Sequence, residues 1–292
     1  MVILKEERLP SWLRRPVSER VARGPARQAV GGLYTVCEEA RCPNRGRCLG
    51  EEKTATFLLL GPGCTRDCGF CAVRQGASPP DAGEPARVAR AAAALGLNYV
   101  VLTSTTRDDL ADGGAAHFAA AAAAVNAELP AAAVEVLTPD FGGSRSSVEA
   151  VAGSPVAVFG HNVETVPRLY GRVRPGADYR RSLRVLAWAA DAGVVTKSAL
   201  MVGLGETAEE VDAVFDDLRD AGVAIVAVGQ YLRPGRRQLA VAEYWEPAAF
   251  ERMAARARAK GFAGVAAAPF VRSSYGAAAL YAEAARRRNS LN

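Results

Sequence analysis

All six cysteines of the 292-residue chain lie between Cys37 and Cys71, in two triplets, Cys37-x4-Cys42-x5-Cys48 and Cys64-x3-Cys68-x2-Cys71. Cysteines serving as small core hydrophobes would be scattered, and a disulfide framework belongs to short secreted chains. Structural zinc takes four N or S ligands per ion. The only histidines, His117 and His161, stand far from both triplets in sequence, so two closed zinc sites would each lack a fourth ligand. A cube of four irons and four sulfides can be held by three thiolates, leaving its fourth iron for another ligand. Two such clusters would use every cysteine.

The second triplet stands in Gly63-Cys-Thr-Arg-Asp-Cys-Gly-Phe-Cys71, directly after an apolar run over 54–60 that ends at Gly61-Pro62-Gly63. The run is β-branched and aromatic at its start, which predicts a buried strand entering a loop. Further apolar runs at 98–104, 133–137, 156–161, 194–202 and 224–232 read as strands. They alternate with helical, mostly alanine-rich patterns at 84–95, 114–129, 144–152, 179–192 and 207–221. A repeated βα pattern predicts parallel strands with helices outside. The expected fold is therefore α/β, a partial (β/α)6 TIM-type barrel with N-terminal and C-terminal extensions. Chemistry in such a barrel collects at the C-terminal ends of its strands, where the cysteine loop falls. Residues 1–53 do not follow the repeat and read as an extension stapled by the first triplet. The barrel is expected over 54–245, and 246–292 forms a second extension with two helices flanking 265–274.

Half of the residues are hydrophobic, and 36 Lys and Arg against 31 Asp and Glu give a net charge of +5. This is the composition of a soluble globular protein rather than a disordered tail or a fibre. No apolar run approaches the roughly 18 residues of a membrane span. The N-terminus, Met1-Val-Ile-Leu-Lys-Glu-Glu-Arg, turns charged before a signal-peptide core can form, so no export is expected. All but four of the basic residues are Arg, spread along the chain without a stripe. Arg236-Arg237 and the arginines at 286–288 read as solvated surface, and neither nucleic acid nor membrane is an expected partner.

The Cys-x3-Cys-x2-Cys loop, with Phe70 before its last cysteine, resembles the radical S-adenosylmethionine superfamily. That resemblance implies a cluster whose open iron chelates the amino and carboxylate groups of S-adenosylmethionine, and cleavage of the sulfonium to a 5′-deoxyadenosyl radical. Over nearly the whole chain the sequence is similar to the lipoyl synthase family. The matching motifs are Cys37-Glu-Glu-Ala-Arg-Cys-Pro-Asn, Thr54-Ala-Thr-Phe, Arg107-Asp-Asp-Leu-Ala-Asp-Gly-Gly-Ala and Thr138-Pro-Asp-Phe. They continue with His161-Asn-Val-Glu-Thr-Val-Pro-Arg-Leu-Tyr, Val173-Arg-Pro-Gly-Ala, Thr196-Lys-Ser, Met201-Val-Gly-Leu-Gly-Glu-Thr, Gly229-Gln-Tyr-Leu and Val271-Arg-Ser-Ser-Tyr. The first triplet is the most specific of these.

The resemblance implies insertion of two sulfur atoms at carbons 6 and 8 of an octanoyl chain amide-linked to a lysine. The acceptors would be octanoylated lipoyl carrier domains of 2-oxoacid dehydrogenases or the glycine cleavage H protein. An electron donor such as ferredoxin or flavodoxin and a cytoplasmic location are implied with it. Two four-iron, four-sulfur clusters and S-adenosylmethionine are the implied cofactors. Cys64, Cys68 and Cys71 would hold the cluster that binds S-adenosylmethionine, and Cys37, Cys42 and Cys48 the auxiliary cluster consumed as sulfur donor. Its remaining iron would be closed by Ser274, with Ser273 as the alternative; an alkoxide is a poor iron ligand beside thiolate and suits a corner that must open. Read without the family, Ser273-Ser274 would be a turn or a helix N-cap.

Gly203-Leu-Gly-Glu-Thr-Ala superficially matches a dinucleotide fingerprint, but the next expected strand ends near Gln230 rather than at an acidic residue. It is expected instead to be a turn, with Gly203 and Gly205 letting backbone approach S-adenosylmethionine. Glu206, or the pair Asn162 and Glu164, would stand near the ribose or methionyl end. Phe70 would cover the adenine or simply pack, His161 would orient or brace, and Arg272 would meet the carrier domain. The chain departs from the family pattern at Leu49, Lys53, Thr106, Gln238, Ala240 and Gly276, none a proposed ligand. Biotin synthase lacks the N-terminal triplet, and a tRNA methylthiotransferase would need further RNA-binding domains. A non-catalytic iron–sulfur or zinc module would explain the cysteines but not the βα units.

Overall fold

Each of the six expected strands forms, and register sets which of its residues face the interior. The structure, a computed structural model, describes residues 9–14, 32–36 and 44–289. Strands β2 (Thr54–Leu59), β5 (Tyr99–Ser104), β6 (Ala133–Leu137), β7 (Val158–Gly160), β8 (Val195–Val202) and β9 (Ile225–Gln230) lie side by side, all parallel. Helices α2 (Glu84–Ala94), α3 (Ala115–Glu128), α4 (Arg145–Ala152), α6 (Tyr179–Asp191) and α7 (Ala208–Asp220) alternate with them. Alternation along β5 shows the two faces: Val100 and Leu102 join the apolar cluster with Val88, Phe118 and Val125 of α2 and α3. Tyr99 and Val101 instead pack with Ala277 on the other face. The alanine tract of α3 is thus scaffold, with Ala121, Ala122 and Val125 buried.

Both extensions add strands to this sheet. Among the described residues, β1 (Tyr34–Thr35) pairs antiparallel with β2, and β10 (Gly264–Ala267) pairs parallel with β9, making a seventh parallel strand. Gly264-Val-Ala-Ala carries no β-branched run, so only pairing identifies it as a strand. A short parallel pair, β3 (Gly63–Cys64) with β4 (Arg74–Gln75), folds the cysteine loop back on itself. The expected C-terminal helices are α8 (Pro247–Ala259) and α9 (Ala277–Asn289). Leu280 and Ala284 of α9 pack with Ile225 of β9. Two short α-helices among the described residues are α1 (Arg45–Gly50) and α5 (Tyr170–Val173). Among the described residues no helix is long and apolar enough to cross a membrane.

Candidate active site

The cysteine loop leaves β2 through a corner that Leu60 makes in the left-handed region, at φ 64°. A branched side chain is uncommon there, and its peptide is held from both sides. The Leu60 N–H donates to Oε2 of Glu84 at 2.9 Å, and its carbonyl accepts from Arg107 at 3.2 Å. Glu84 is met by His117 Nε2 at 2.7 Å, and Arg107 is fixed by Asp109 at 2.7 Å. The Arg107-Asp-Asp motif is therefore a brace for the corner from which the cysteines depart.

Beyond it the loop is tied to its neighbours by further hydrogen bonds. Thr105 Oγ1 donates to the Gly63 carbonyl at 2.7 Å, and the Thr65 N–H to the Thr106 carbonyl at 3.0 Å. In the second half the Gly69 N–H donates to Val173, its carbonyl accepts from the Leu239 N–H, and Gln238 Nε2 donates to the Cys71 carbonyl at 3.1 Å. A Cβ at Gly69 would press on Leu239 and the Arg172 carbonyl, so this close approach requires glycine. Phe70 packs half-buried against the apolar cluster of β8, β9 and their helices.

Cys64, Cys68 and Cys71 are half-buried free thiols. Burial raises the Cys68 thiol, against the pull of Arg174. It pushes Cys71 up to about 11, against an N–H from Val73. Thiols so placed ionise readily only beside added positive charge, which a metal centre supplies. Among the described residues no three His, Cys, Asp or Glu side chains gather on one ion. A cube asks for something else, one thiolate on each of three irons.

The segment after β7 carries His161, Asn162 and Glu164. The buried His161 ring lies between the Thr138 carbonyl and Ser182 Oγ, each at 2.9 Å, and burial lowers its pKa to about 4. It is a neutral brace. Glu164, at φ 65°, has its pKa raised by burial, opposed by Arg174 and Asn162, whose Nδ2 donates to it at 3.0 Å. Arg174 is the residue that the sequence reading passed over, although it stands in the quoted Val173-Arg-Pro-Gly-Ala motif. It donates to the Asn162 carbonyl at 2.8 Å and to Tyr170 Oη at 3.0 Å, and its field reaches Glu164 and Cys68. Its buried Nε has no partner. An orphaned guanidinium donor within the field of Cys68 fits the anionic end of an amino-acid ligand.

The glycine turn after β8 is differently used. Gly203 and Gly205 have φ 106° and 113°, but a Cβ at Gly203 would overlap the Gln230 amide and the Glu243 carbonyl, so its close approach is to the chain itself. Glu206, expected near the cofactor, is turned inward. Its Oε2 accepts from the N–H groups of Gly203, Leu204 and Gly205 at 2.8, 2.8 and 3.1 Å, and its Oε1 from Thr165 at 3.2 Å. A carboxylate taken up by four donors braces the turn, which leaves Glu164, held by Asn162, as the carboxylate whose field reaches Cys68 and Cys71.

The segment over 269–275 crosses the end of β9, where a Cβ at Gly229 would overlap the Val271 carbonyl. Arg272, expected at the carrier, donates to the Val271 carbonyl at 2.7 Å. Ser273 Oγ donates to Asn162 Oδ1 at 3.2 Å, whereas the Ser274 hydroxyl has no hydrogen-bond partner among the described residues. Asn44 Nδ2 donates to the Phe270 carbonyl at 2.9 Å. Arg47 donates to Tyr275 Oη at 2.6 Å and lies over its ring. Helix α1, which carries the buried Cys48, thus docks on the Arg-Ser-Ser-Tyr motif. Cys37 and Cys42 lie outside the described residues.

Residues 58–218 match the radical SAM superfamily. A lipoyl synthase from Oleidesulfovibrio alaskensis is 52% identical over 273 residues, covering 92% of this chain and 94% of its own. A lipoyl synthase from Geobacter metallireducens is 51% identical over 277 residues, covering 93% and 96%. The chain belongs to the lipoyl synthase family. Superfamily membership implies a four-iron, four-sulfur cluster and S-adenosylmethionine. Among solved structures, the FeFe-hydrogenase maturase HydG from Carboxydothermus hydrogenoformans aligns with TM-score 0.60 at 17% identity, over 73% of this chain and 52% of its own. Methylornithine synthase aligns with TM-score 0.53 at 13% identity, over 75% and 70%. These two share the fold.

Proposed function

We propose that the chain converts a protein-bound octanoyl-lysine to the lipoyl group, inserting sulfur at carbons 6 and 8. The observation that supports the site assignment is a buried, partly unpartnered Arg174 whose field reaches Cys68 of the cysteine loop, at the C-terminal end of the barrel. When bound, the cluster and S-adenosylmethionine supply the radical that takes hydrogen from the octanoyl chain, and an auxiliary cluster supplies the sulfur. The three thiolates hold the first cluster. Arg174 receives the methionyl carboxylate, while Asn162 and Glu164 orient the amino or ribose end. Phe70 and the apolar residues beneath it keep water from that side of the cysteine loop.

On the other side, Cys48 on α1 joins Cys37 and Cys42 in holding the auxiliary cluster. Ser274, whose hydroxyl is not engaged elsewhere among the described residues, closes it, and Ser273 is held by Asn162. Octanoylated carrier domains of 2-oxoacid dehydrogenases or the glycine cleavage H protein are the acceptors, ferredoxin or flavodoxin the electron donor, and the cytoplasm the setting. Anaerobic iron and sulfide analysis with Mössbauer spectroscopy tests this reading on the parent and a Cys37→Ala, Cys42→Ala, Cys48→Ala variant. About eight irons should fall to about four, with S-adenosylmethionine still cleaved and no lipoyl product. Zinc as the preferred metal, or four or fewer irons in the fully reconstituted parent, would sink it.

A further inference from the structure

Between Cys64 and Cys68 the loop carries Arg66, whose guanidinium is gripped on two edges. Nε and one terminal nitrogen donate to the two oxygens of Asp108, both at 2.8 Å, and the terminal nitrogens to those of Asp140 at 2.9 and 2.7 Å. Asp108 follows β5 and Asp140 follows β6, so one side chain stitches three successive strand-end loops. The Asp140 carboxylate is completely buried, accepts the Gly142 N–H at 3.1 Å, and faces Arg181 at 3.5 Å. Thr65 is pinned as well, its Oγ1 lying 3.0 Å from the Thr106 carbonyl and 3.1 Å from Asp108. The peptide joining Thr65 to Arg66 is therefore fixed at both ends by side chains.

The N–H of that peptide points at Sγ of Cys64, 3.4 Å away. An N–H···S hydrogen bond favours the electron-rich form of a thiolate-bound cluster and raises its reduction potential. We infer that Arg66 is a positioning residue: through Asp108 and Asp140 it holds its own amide on Cys64 and thereby sets the reduction potential of the radical-initiating cluster. This rests on the proposal that Cys64 ligates that cluster. The role requires arginine, because a planar fork can serve two carboxylates at once, whereas a lysine ammonium keeps the charge and loses the geometry.

The test uses the full chain, anaerobically reconstituted, with Arg66→Lys and Asp108→Glu, both of which conserve charge. Iron per chain, the thermal unfolding midpoint and a redox titration followed by electron paramagnetic resonance are measured. The signal that changes on adding S-adenosylmethionine marks the relevant cluster. Arg66→Lys is expected to keep parental iron while the reduced fraction at a fixed poise falls several-fold, out of proportion to any loss of thermal stability, with a smaller fall in Asp108→Glu. Parental titrations in both variants would overturn the inference, as would losses of potential that merely track losses of thermal stability. If Arg66→Lys does not reconstitute, Asp108→Glu alone decides. A parent whose iron content and titration are unaffected by Cys64→Ala would instead overturn the proposal beneath, and that result is read without any variant of Arg66 or Asp108.

Discussion

Two buried ionic clusters occupy opposite ends of the same barrel and are built differently. Near the N-terminal ends of the strands, Lys197 donates to both oxygens of Glu135 at 2.8 and 3.0 Å, and Tyr99 Oη donates to the same carboxylate at 2.7 Å. Register places Tyr99 beside Ala133 and Lys197 beside Ile225, each the first residue of its strand, and Tyr281 of α9 covers Tyr99. Lys197 and Glu135 are each 1% exposed. At the C-terminal ends, the Arg66 cluster joins loops rather than strands, and Asp108 remains 41% exposed. The lower pair locks three strands to one another. The upper one holds the cysteine loop in shape. A buried charge thus marks a function only where the chain it fixes carries chemistry.

The largest effect should come from breaking the lower pair. Lys197→Met leaves the Glu135 carboxylate buried with only a tyrosine hydroxyl, and is expected to lower the unfolding free energy by about 3–5 kcal/mol. Chemical denaturation of the reconstituted protein measures it. Whatever folded protein remains should titrate its cluster as the parent does; a shifted potential would break the distinction between the two ends.

His161 tests whether the upper end also holds neutral structural groups. Its folded pKa is lowered to about 4 by burial, whereas an unfolded chain takes the proton near 6.5. The contribution is fully present above about pH 6.5 and is lost as pH falls towards about 4, because only the unfolded state is then protonated. The expected loss is about 3 kcal/mol over that window. His161→Gln should flatten this part of the stability profile, as urea midpoints across the window would reveal. An unchanged slope would remove His161 from the account.

The barrel was largely legible because burial on both faces of parallel strands leaves apolar runs, and the intervening helices keep their periodicity. The capping box of Thr207 and Glu210 opens α7 where the sequence pattern starts it. β10 was not legible, since four small residues gain strand identity only from β9. Within the site, cysteine spacing named the thiols, but no local signal says that Glu206 folds back onto three N–H groups. Nor does any local signal say that Arg66 reaches Asp140, 74 residues onward. Those contacts are made by the barrel, which brings strand-end loops together from distant sequence.

Arg174 sharpens the comparison at the ligand side of the upper end. Arg174→Gln keeps one donor for the Asn162 carbonyl and removes the cation, so S-adenosylmethionine affinity should fall about 10–100-fold, as for a lost hydrogen bond to a charged group. Equilibrium binding to the reconstituted protein measures this, with iron content as in the parent. Weakened binding that Arg174→Lys restores in part would assign the loss to charge. An affinity equal to the parent's would show that the unpartnered Nε serves no ligand.

The smallest effect concerns a side-chain hydrogen bond between the two halves of the proposed site. Ser273 Oγ donates to Asn162 Oδ1 at 3.2 Å, linking the Arg-Ser-Ser-Tyr turn to the segment that carries Glu164, and a neutral bond of this kind contributes about 0.5–1.5 kcal/mol. Ser273→Ala should therefore raise the KM for S-adenosylmethionine only a few-fold and leave both clusters in place. Ser274→Ala should do the reverse, keeping S-adenosylmethionine cleavage while the auxiliary cluster's Mössbauer signature changes and sulfur transfer fails. The two serines are adjacent, so a general disturbance of the turn would make the variants alike. Opposite phenotypes would separate a hydroxyl that positions Asn162 from one left available to iron. Exchanged phenotypes would move the iron ligand to Ser273 and require the bond to Asn162 to break when the cluster binds.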